Sequence, residues 1–201
     1  MDADAWDERY AASGLVWSAT PNQFVERELR DLPPGRALDL ACGEGRNAIW
    51  LASLGWQVTA VDFSQVALDK GRAVDPSVDW VCADVTSWRP ESSYDVAVVA
   101  YLQLPEAERG AAVRTAFDAL APGGTFLLVA HDSTNLTEGT GGPQDPEVLM
   151  TAADVLADLG DRPLLVEYAD RVPRVVADGH HEEDRLTAWD CLVRLRSSVV
   201  G

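Results

Sequence analysis

The stretch ALDLACGEGRN, residues 37–47, combines a short apolar run, an acidic residue and two glycines that are one residue apart. Beyond it, apolar residues recur at helical spacing until Gly55 ends the pattern. A buried strand, a glycine-rich turn and a helix, in that order, form the first half of a nucleotide-binding βαβ unit. Glycines let the backbone approach a ligand closely, and the start of the helix offers N–H donors to it. The stretch therefore predicts an α/β fold with a ligand site at the turn.

Acidic residues around the turn indicate which ligand it accepts. Residues 43–48 fit the G-x-G-x-x-A pattern of dinucleotide-binding proteins, but this pattern alone is a weak signal. Asp39 ends the predicted strand and Glu44 lies inside the turn, so two carboxylates would crowd the place of a pyrophosphate and repel it. A ligand with an ammonium or sulfonium group would be attracted instead. A nicotinamide-dependent oxidoreductase stays open as an alternative, although the two acids argue against it.

The same residues resemble the first motif of the class I S-adenosylmethionine-dependent methyltransferases, an acid followed closely by a G-x-G turn. Asp39 supplies the acid, and Arg46 and Asn47 after the turn are similar to the branch that contains tellurite-resistance and thiopurine methyltransferases. The resemblance implies S-adenosylmethionine as the cofactor, methyl transfer as the activity and a Rossmann-like fold. A protein that binds this cofactor without catalysis is a further alternative.

Length and composition limit the class of protein. The 201 residues suffice for a single domain, in which the resemblance implies a helical cap over residues 1–35 and a Rossmann-like core over residues 36–201. The formal net charge of −17 disfavours a nucleic-acid substrate, because phosphate backbones would be repelled. No apolar run approaches the ~18 residues of a membrane span, and the three cysteines form neither a disulfide framework nor a metal spacing. We therefore expect a cytoplasmic monomer or homodimer that acts on a small molecule.

Three acidic residues are predicted to meet at one edge of the sheet. Strands are predicted over residues 36–41, 57–61 and 78–83. They end near Asp39, Asp62 and Asp84, and right-handed crossovers bring the ends of parallel strands to the same edge. Asp62 lies about 20 residues beyond the first glycine of the turn, which is the position of an acid that binds ribose hydroxyls. Asp84 resembles the family residue that accepts a hydrogen bond from the adenine amino group, and Ala83 and Val85 beside it could cover the ring.

The rest of the chain completes a sheet of seven strands. A continuous apolar run predicts a central strand over Tyr94–Ala100, and a fifth strand is expected over residues 125–130, after a helix over residues 105–120. The final apolar runs, Leu164–Ala177 and residues 186–195, lack an intervening helix and should pair antiparallel. The fold class is thus α/β, a single Rossmann-like domain whose mostly parallel sheet has helices on both faces and a C-terminal antiparallel pair.

Acceptor chemistry is expected where the fourth and fifth strands end, on the side of the crevice away from the adenosine half. These ends deliver Tyr101 and His131, our candidate catalytic residues, and an imidazole can remove a proton at neutral pH. Alternatively, His131 only hydrogen-bonds the long loop that follows it, residues 133–146. A thiol or chalcogen anion needs little help from a base, whereas an alcohol or amine does, so the acceptor is left as a small nucleophile.

The resemblance extends the predicted cofactor site beyond these acids. Its expected members are the first turn, the ends of the next strands and one residue of the cap: Asp39, Ala41, Cys42, Gly43, Gly45, Arg46, Asn47, Asp62, Phe63, Ser64, Ala83, Asp84, Val85, Ala100 and Trp17. Trp17 belongs to a front segment with two predicted helices, the second beginning with a capping box at Thr20. No metal site is expected, because the run HHEED at residues 180–184 reads as a solvated hairpin tip with no fixed ligands nearby.

Overall fold

Strands and helices alternate through most of the chain that the computed structural model describes, which comprises residues 3–12, 20–177 and 185–198. The strands are β1 Arg36–Leu40, β2 Gln57–Asp62, β3 Asp79–Cys82, β4 Tyr94–Ala100, β5 Leu120–His131, β6 Leu164–Ala177 and β7 Arg185–Ser197. The helices are α1 Ala3–Ala11, α2 Gln23–Leu29, α3 Arg46–Ser53, α4 Gln65–Val74, α5 Glu106–Asp118, α6 Asn135–Glu138 and α7 Ala152–Leu159, with a short 3₁₀ helix at Pro146–Val148.

All seven strands form one sheet in the order β3-β2-β1-β4-β5-β7-β6. The first five strands are parallel, and β7 pairs antiparallel with both β5 and β6. Helices α5 and α7 contribute to the hydrophobic core on one face, while α2, α3 and α4 contribute to the core on the other. The predicted fold class is therefore confirmed. Within the described residues, no helix has the length and apolar character needed to cross a membrane.

Sheet position explains the composition of the central strands. Leu38 and Leu40 of β1 enter one core and Ala37 enters the other, because successive side chains of a strand point to opposite faces. β4 lies between β1 and β5 and has the predicted bounds, since both of its faces are covered and it can be apolar throughout.

Several predicted boundaries differ from the observed ones. The second helix begins after Asn22 rather than Thr20, because the Asn22 side chain accepts hydrogen bonds from the N–H groups of Phe24 (2.8 Å) and Val25 (3.3 Å). α5 ends at Asp118, and β5 begins at Leu120 instead of Thr125, because Leu120 already pairs with Tyr94 across an irregular register. The predicted loop over residues 133–146 contains the short helix α6.

The order of strands reverses between β1 and β4, which is where ligands bind in open α/β sheets. One residue just beyond each of these strands has a left-handed backbone, Ala41 with φ 61° after β1 and Tyr101 with φ 56° after β4. A left-handed conformation costs a residue with a Cβ about 1–2 kcal/mol. Strain of this kind concentrates at functional sites, so both residues mark the crevice between the two strands.

Candidate active site

The turn after β1 is built for close backbone approach. Gly43 and Gly45 have positive φ values of 56° and 77°. A Cβ added at Gly45 would lie 2.1 Å from the ring of Trp80, so no other residue fits without displacing that ring. The N–H of Gly43 donates to Oδ2 of Asp62 at 2.8 Å, which ties the turn to the end of β2.

Asp39 is fully buried beneath this turn. Its Oδ2 accepts a hydrogen bond from the N–H of Ala48 at 3.0 Å, whereas its buried Oδ1 has no hydrogen-bond partner among the described residues. Burial raises the pKa of Asp39 to about 7, against the opposing effects of the Ala48 hydrogen bond and the charge of Arg46. A buried carboxylate oxygen without a partner is costly, and a nearby positive charge would stabilise it.

Asp62 is held from both sides at the end of β2. Its Oδ1 accepts from the N–H of Ser64 at 2.9 Å, and its Oδ2 accepts from Gly43. Burial raises the pKa of Asp62, although these backbone hydrogen bonds oppose the rise. Ser64 caps α4 through the N–H of Ala67, as the sequence suggests, and its hydroxyl donates to Asp7 of α1. The acid is therefore fixed in place before any ligand arrives.

A first cavity lies between the turn, the ends of β2 and β4, and α1. Its lining residues are Trp6, Tyr10, Ala41, Cys42, Gly43, Arg46, Asn47, Asp62, Phe63, Ala100, Tyr101, Leu102, Gln103 and Leu104. Trp6 and Tyr10 of α1 stack on each other with ring centroids 5.6 Å apart. The cavity thus has a backbone turn on one side and an aromatic pair on another.

A second cavity of about 350 Å³ adjoins the first through the residues that line both, Arg46, Tyr101 and Gln103. It is also lined by Pro21, Asn22, Gln23, His131, Arg174 and Val175. Its volume lies within the roughly 300–1,000 Å³ of small-molecule sites. Among the described residues, two arginines and no carboxylate line it, although the chain has a formal net charge of −17.

Tyr101 stands at the junction of the two cavities. Its hydroxyl donates to Oδ2 of Asp190 at 2.9 Å, and its ring packs against His131 with centroids 4.7 Å apart. The guanidinium carbons of Arg46 and Arg174 each lie 5.9 Å from the centre of the Tyr101 ring. Burial and the charge of Asp190 raise the pKa of Tyr101, so the phenol is a hydrogen-bond donor at neutral pH.

The sequence of this chain is similar to those of several known proteins. Residues 37–124 match the family model described as a methyltransferase domain. Thiocyanate methyltransferase 1 of Arabidopsis thaliana is 26% identical over 178 residues, which cover 83% of this chain and 77% of the relative. Trans-aconitate 2-methyltransferase of Rhizobium meliloti is 34% identical over 128 residues, 60% of this chain and 47% of the relative. The chain thus contains a methyltransferase domain and is an S-adenosylmethionine-dependent methyltransferase.

Solved structures of low sequence identity share the fold of this methyltransferase. The N-methyltransferase NodS of Bradyrhizobium japonicum WM9, in complex with S-adenosylhomocysteine, aligns with a TM-score of 0.73 at 17% identity over 97% of both chains. TehB of Haemophilus influenzae aligns with a TM-score of 0.72 at 16% identity, covering 98% of this chain and 67% of the other.

The first cavity of the methyltransferase fits S-adenosylmethionine in charge and in the backbone that its glycine turn supplies. The orphaned Oδ1 of Asp39 and the carboxylate of Asp62 favour a ligand with positive charge, and the left-handed turn exposes backbone where a Cβ would obstruct it. When bound, this cofactor supplies a methyl group activated by a positively charged sulfonium.

Most of the residues predicted for the cofactor line the first cavity. These are Ala41, Cys42, Gly43, Arg46, Asn47, Asp62, Phe63 and Ala100. Asp39, Gly45 and Ser64 do not line it but fix the turn and the start of α4 from behind. Trp17 and the run at residues 180–184 lie outside the described residues.

Three predicted residues after β3 are placed elsewhere. Asp84 is exposed, and its Oδ1 accepts hydrogen bonds from the N–H (2.8 Å) and hydroxyl (2.7 Å) of Thr86, which closes a local turn. Val85 is buried in the core, and Ala83 packs against that core. None of the three is among the residues that line the two cavities. Contact of Asp84 with adenine stays a prediction.

The expectation for Glu44 needs correction. Its side chain is buried, and Oε1 lies 3.1 Å from Nζ of Lys70. Glu44 lines neither cavity. The acid inside the turn therefore pairs with a lysine of α4 rather than facing the ligand, and Asp39 and Asp62 carry the negative charge of this site.

Sequence reasoning missed the residues that β6 and β7 bring to the acceptor side. Asp190 is completely buried in β7, directly opposite His131 of β5 and Val172 of β6. Arg174 of β6 donates from Nε to Oδ2 of Asp190 at 2.6 Å. An aspartate in the middle of an apolar strand was the signal that could have found this group, since a buried carboxylate requires partners.

Proposed function

We propose that this methyltransferase transfers the methyl group to a small, negatively charged or soft nucleophile, such as a thiol or a chalcogen oxyanion, in the second cavity. The observation that carries the proposal is the lining of that cavity, which includes Arg46 and Arg174 and no carboxylate among the described residues, next to the cavity that fits the cofactor. In a chain of net charge −17, a locally cationic cavity selects for anions.

The cofactor would be held by the first cavity. Asp62 is assigned to the ribose hydroxyls, Gly43 and the turn to the amino-acid portion, and Phe63 to the adenosine side, because all three line that cavity at the carboxyl edge of the sheet. The junction residues Arg46, Tyr101 and Gln103 then lie where the methyl group and the acceptor meet. Alignment of these two partners is the main contribution that the chain makes to the rate.

Relatives provide independent support for an anionic acceptor. Two curated relatives are named for thiocyanate and trans-aconitate, and both compounds are anions at neutral pH. They differ in size and in nucleophilic atom, so the shared property is negative charge. For a soft anion, His131 would contribute to binding more than to proton removal.

A binding assay tests the cofactor. S-adenosylmethionine and S-adenosylhomocysteine should raise the melting temperature, and a ligand at ~100 times its Kd stabilises by about 2.7 kcal/mol. NAD and NADP should leave the melting temperature unchanged. Stabilisation by NAD alone would contradict the cofactor assignment.

A methyl-transfer assay with a panel of acceptors tests the rest. We expect transfer to small anions such as thiocyanate and hydrosulfide, and a loss of roughly 10–100-fold in kcat/KM for them in Arg46→Gln, while a neutral acceptor loses less. Arg36→Gln is the matched control, because Arg36 is exposed at the opposite end of β1. In His131→Ala, S-adenosylhomocysteine affinity should be unchanged, and turnover should fall by ~10²-fold only if the acceptor is an alcohol or amine. Equal losses for anionic and neutral acceptors in Arg46→Gln would overturn the anionic assignment.

A further inference from the structure

One buried carboxylate connects the functional groups of the acceptor side. Asp190 has no exposed surface, yet it contacts a side chain from each of three other strands. Tyr101 at the end of β4 donates its hydroxyl at 2.9 Å, Arg174 of β6 donates from Nε at 2.6 Å, and Nδ1 of His131 at the end of β5 lies 3.5 Å from Oδ1. All three of these side chains line the second cavity, and Asp190 lies behind them.

The carboxylate of Asp190 is charged at neutral pH. Burial alone would raise its pKa, but hydrogen bonds from His131 and Arg174 and the positive charge of Arg174 hold the pKa below its usual range. The titratable groups that face it are Tyr101, His131 and Arg174, and the guanidinium carbon of Arg46 lies 5.9 Å from the centre of the Tyr101 ring. A negative charge therefore sits permanently beneath the floor of the cavity.

The geometry around His131 distinguishes its two ring nitrogens. Nδ1 is buried, lies 3.5 Å from Oδ1 of Asp190 and makes no hydrogen bond in the described part of the chain. The His131 side chain is 15% exposed, and because Nδ1 is buried, other ring atoms must account for this exposure. Nε2 is therefore the ring nitrogen that can reach the cavity. A carboxylate beside Nδ1 favours the tautomer that carries its proton there, which leaves the Nε2 lone pair free.

We propose that Asp190 is a positioning residue of the acceptor site, which fixes Tyr101, Arg174 and His131 at the cavity and keeps Nε2 of His131 ready to take a proton. The inference rests on the proposed function, because it assigns the second cavity to the acceptor. For a protonated acceptor, the proton passes to Nε2 while the acceptor lone pair forms the bond to the methyl carbon, and the carbon–sulfur bond breaks with its electrons on sulfur. Asp190 then balances the positive charge on the imidazole.

A second buried ion pair provides a matched control. Arg109 and Asp158 pair at 2.7 Å between α5 and α7, with side chains 7% and 9% exposed, and neither residue lines a cavity described above. Asp158→Asn leaves Arg109, which is 7% exposed, without its carboxylate, and Asp190→Asn does the same to Arg174, which is 25% exposed. Asp158→Asn should therefore destabilise the protein at least as much, and only a role at the acceptor site should make Asp190→Asn the more damaging variant for activity.

Nitrogen-15 NMR of the imidazoles tests the inference on the protein without cofactor or acceptor, with His131→Gln assigning the signals among the three histidines. We expect the neutral His131 of the wild type to carry its proton on Nδ1, and Asp190→Asn to lose this preference. Asp158→Asn should keep it. A wild-type imidazole with its proton on Nε2 would overturn the proposal, and this result does not depend on which acceptor is used or on whether Asp190→Asn folds.

Kinetics give the second readout. Asp190→Asn should lower kcat/KM for the acceptor at least tenfold, with S-adenosylhomocysteine affinity within twofold of wild type, and Asp158→Asn should change neither. With His131 already replaced by alanine, the added Asp190→Asn should cost less than it does alone. Equal kinetic losses in Asp158→Asn and Asp190→Asn would reduce Asp190 to a structural role, whereas absence of any methyl transfer with a normal tautomer would contradict the proposed function instead.

Discussion

The two halves of the crevice differ in the charge and in the kind of group that each supplies. On the cofactor side, the turn after β1 supplies backbone, and the acids Asp39 and Asp62 are fixed by backbone N–H groups. On the acceptor side, Tyr101, His131, Arg46 and Arg174 supply side chains. The first half contains two buried acids and the second is lined by two arginines, although the two cavities share three lining residues.

The buried acids of the two halves, Asp39 and Asp190, differ in their partners and in the direction of their pKa shifts. Asp39 is buried without a cationic hydrogen-bond partner, and its pKa is raised, whereas Asp190 is buried with Arg174 and its pKa is lowered. The cofactor side therefore keeps an unfavourable charge that a positively charged ligand can relieve. The acceptor side has already neutralised its buried acid and directs its remaining positive charge outward.

The largest expected effect is on the turn of the cofactor side. Gly45→Ala should destabilise the protein by roughly 2–5 kcal/mol, the sum of a left-handed alanine and a clash with Trp80. Gly123→Ala is the control, since Gly123 has φ 79° but nothing within 4 Å of an added Cβ, and it should cost about 1–2 kcal/mol. Urea unfolding measures both. Similar values for the two variants would show that Trp80 does not support the turn.

An intermediate effect is expected on the pH dependence of stability, to which Asp39 and Asp190 should contribute with opposite signs. Because the folded-state pKa of Asp39 is about 7 and its unfolded value 3.8, the folded state binds more protons between these values, and stability falls as pH rises from 4 to 7. The stability of Asp39→Asn relative to wild type should therefore rise across this window and reach an advantage of roughly 4 kcal/mol at pH 8. The variant should also bind the cofactor more weakly.

Asp190→Asn should change the stability at neutral pH in the opposite direction. Its lowered folded-state pKa makes the charged form stabilising above about pH 4, and this contribution is lost as pH falls through the folded-state pKa. The variant should be less stable than wild type at pH 7 and approach wild type in acid. Urea unfolding from pH 3 to 8 checks both acids, and parallel curves for the two variants would remove the distinction between the halves.

The smallest expected effects are on cofactor affinity, when two acids near the turn, Asp62 and Glu44, are replaced. Asp62→Asn should weaken S-adenosylhomocysteine binding by about 1.5–3 kcal/mol, because a charge-assisted hydrogen bond is lost at the cavity. Glu44→Gln should weaken it by less than about 0.5 kcal/mol, since Glu44 pairs with Lys70 and lines neither cavity. Calorimetry measures both. If Glu44→Gln lost as much affinity for S-adenosylhomocysteine as Asp62→Asn, Glu44 would have to contact the ligand.

The sequence was informative where structure depends on neighbours along the chain. The turn, the helix cap at Ser64 and the position of Asp62 at the end of β2 all follow from local patterns of a few residues. These elements make up most of the cofactor side, and for this reason that side could be outlined before the structure was known.

The acceptor side depends on contacts that no local pattern encodes. Asp190 meets His131 only because β7 inserts between β5 and β6 in one particular antiparallel register. A shift of one residue would turn Asp190 to the other face of the sheet. Likewise, Glu44 pairs with Lys70 only because α4 packs beside the turn. The two residues are far apart in the sequence, so no local pattern predicts this ion pair.

Lys70 is the single lysine of the chain, and it joins three segments at once. From α4, its ammonium group contacts Glu44 in the cofactor turn and donates to the backbone carbonyl of Tyr10 in α1. An amine-directed reagent can modify this side chain only by breaking both contacts. Acylation of this one lysine would therefore remove contacts that α4 makes with both the turn and α1.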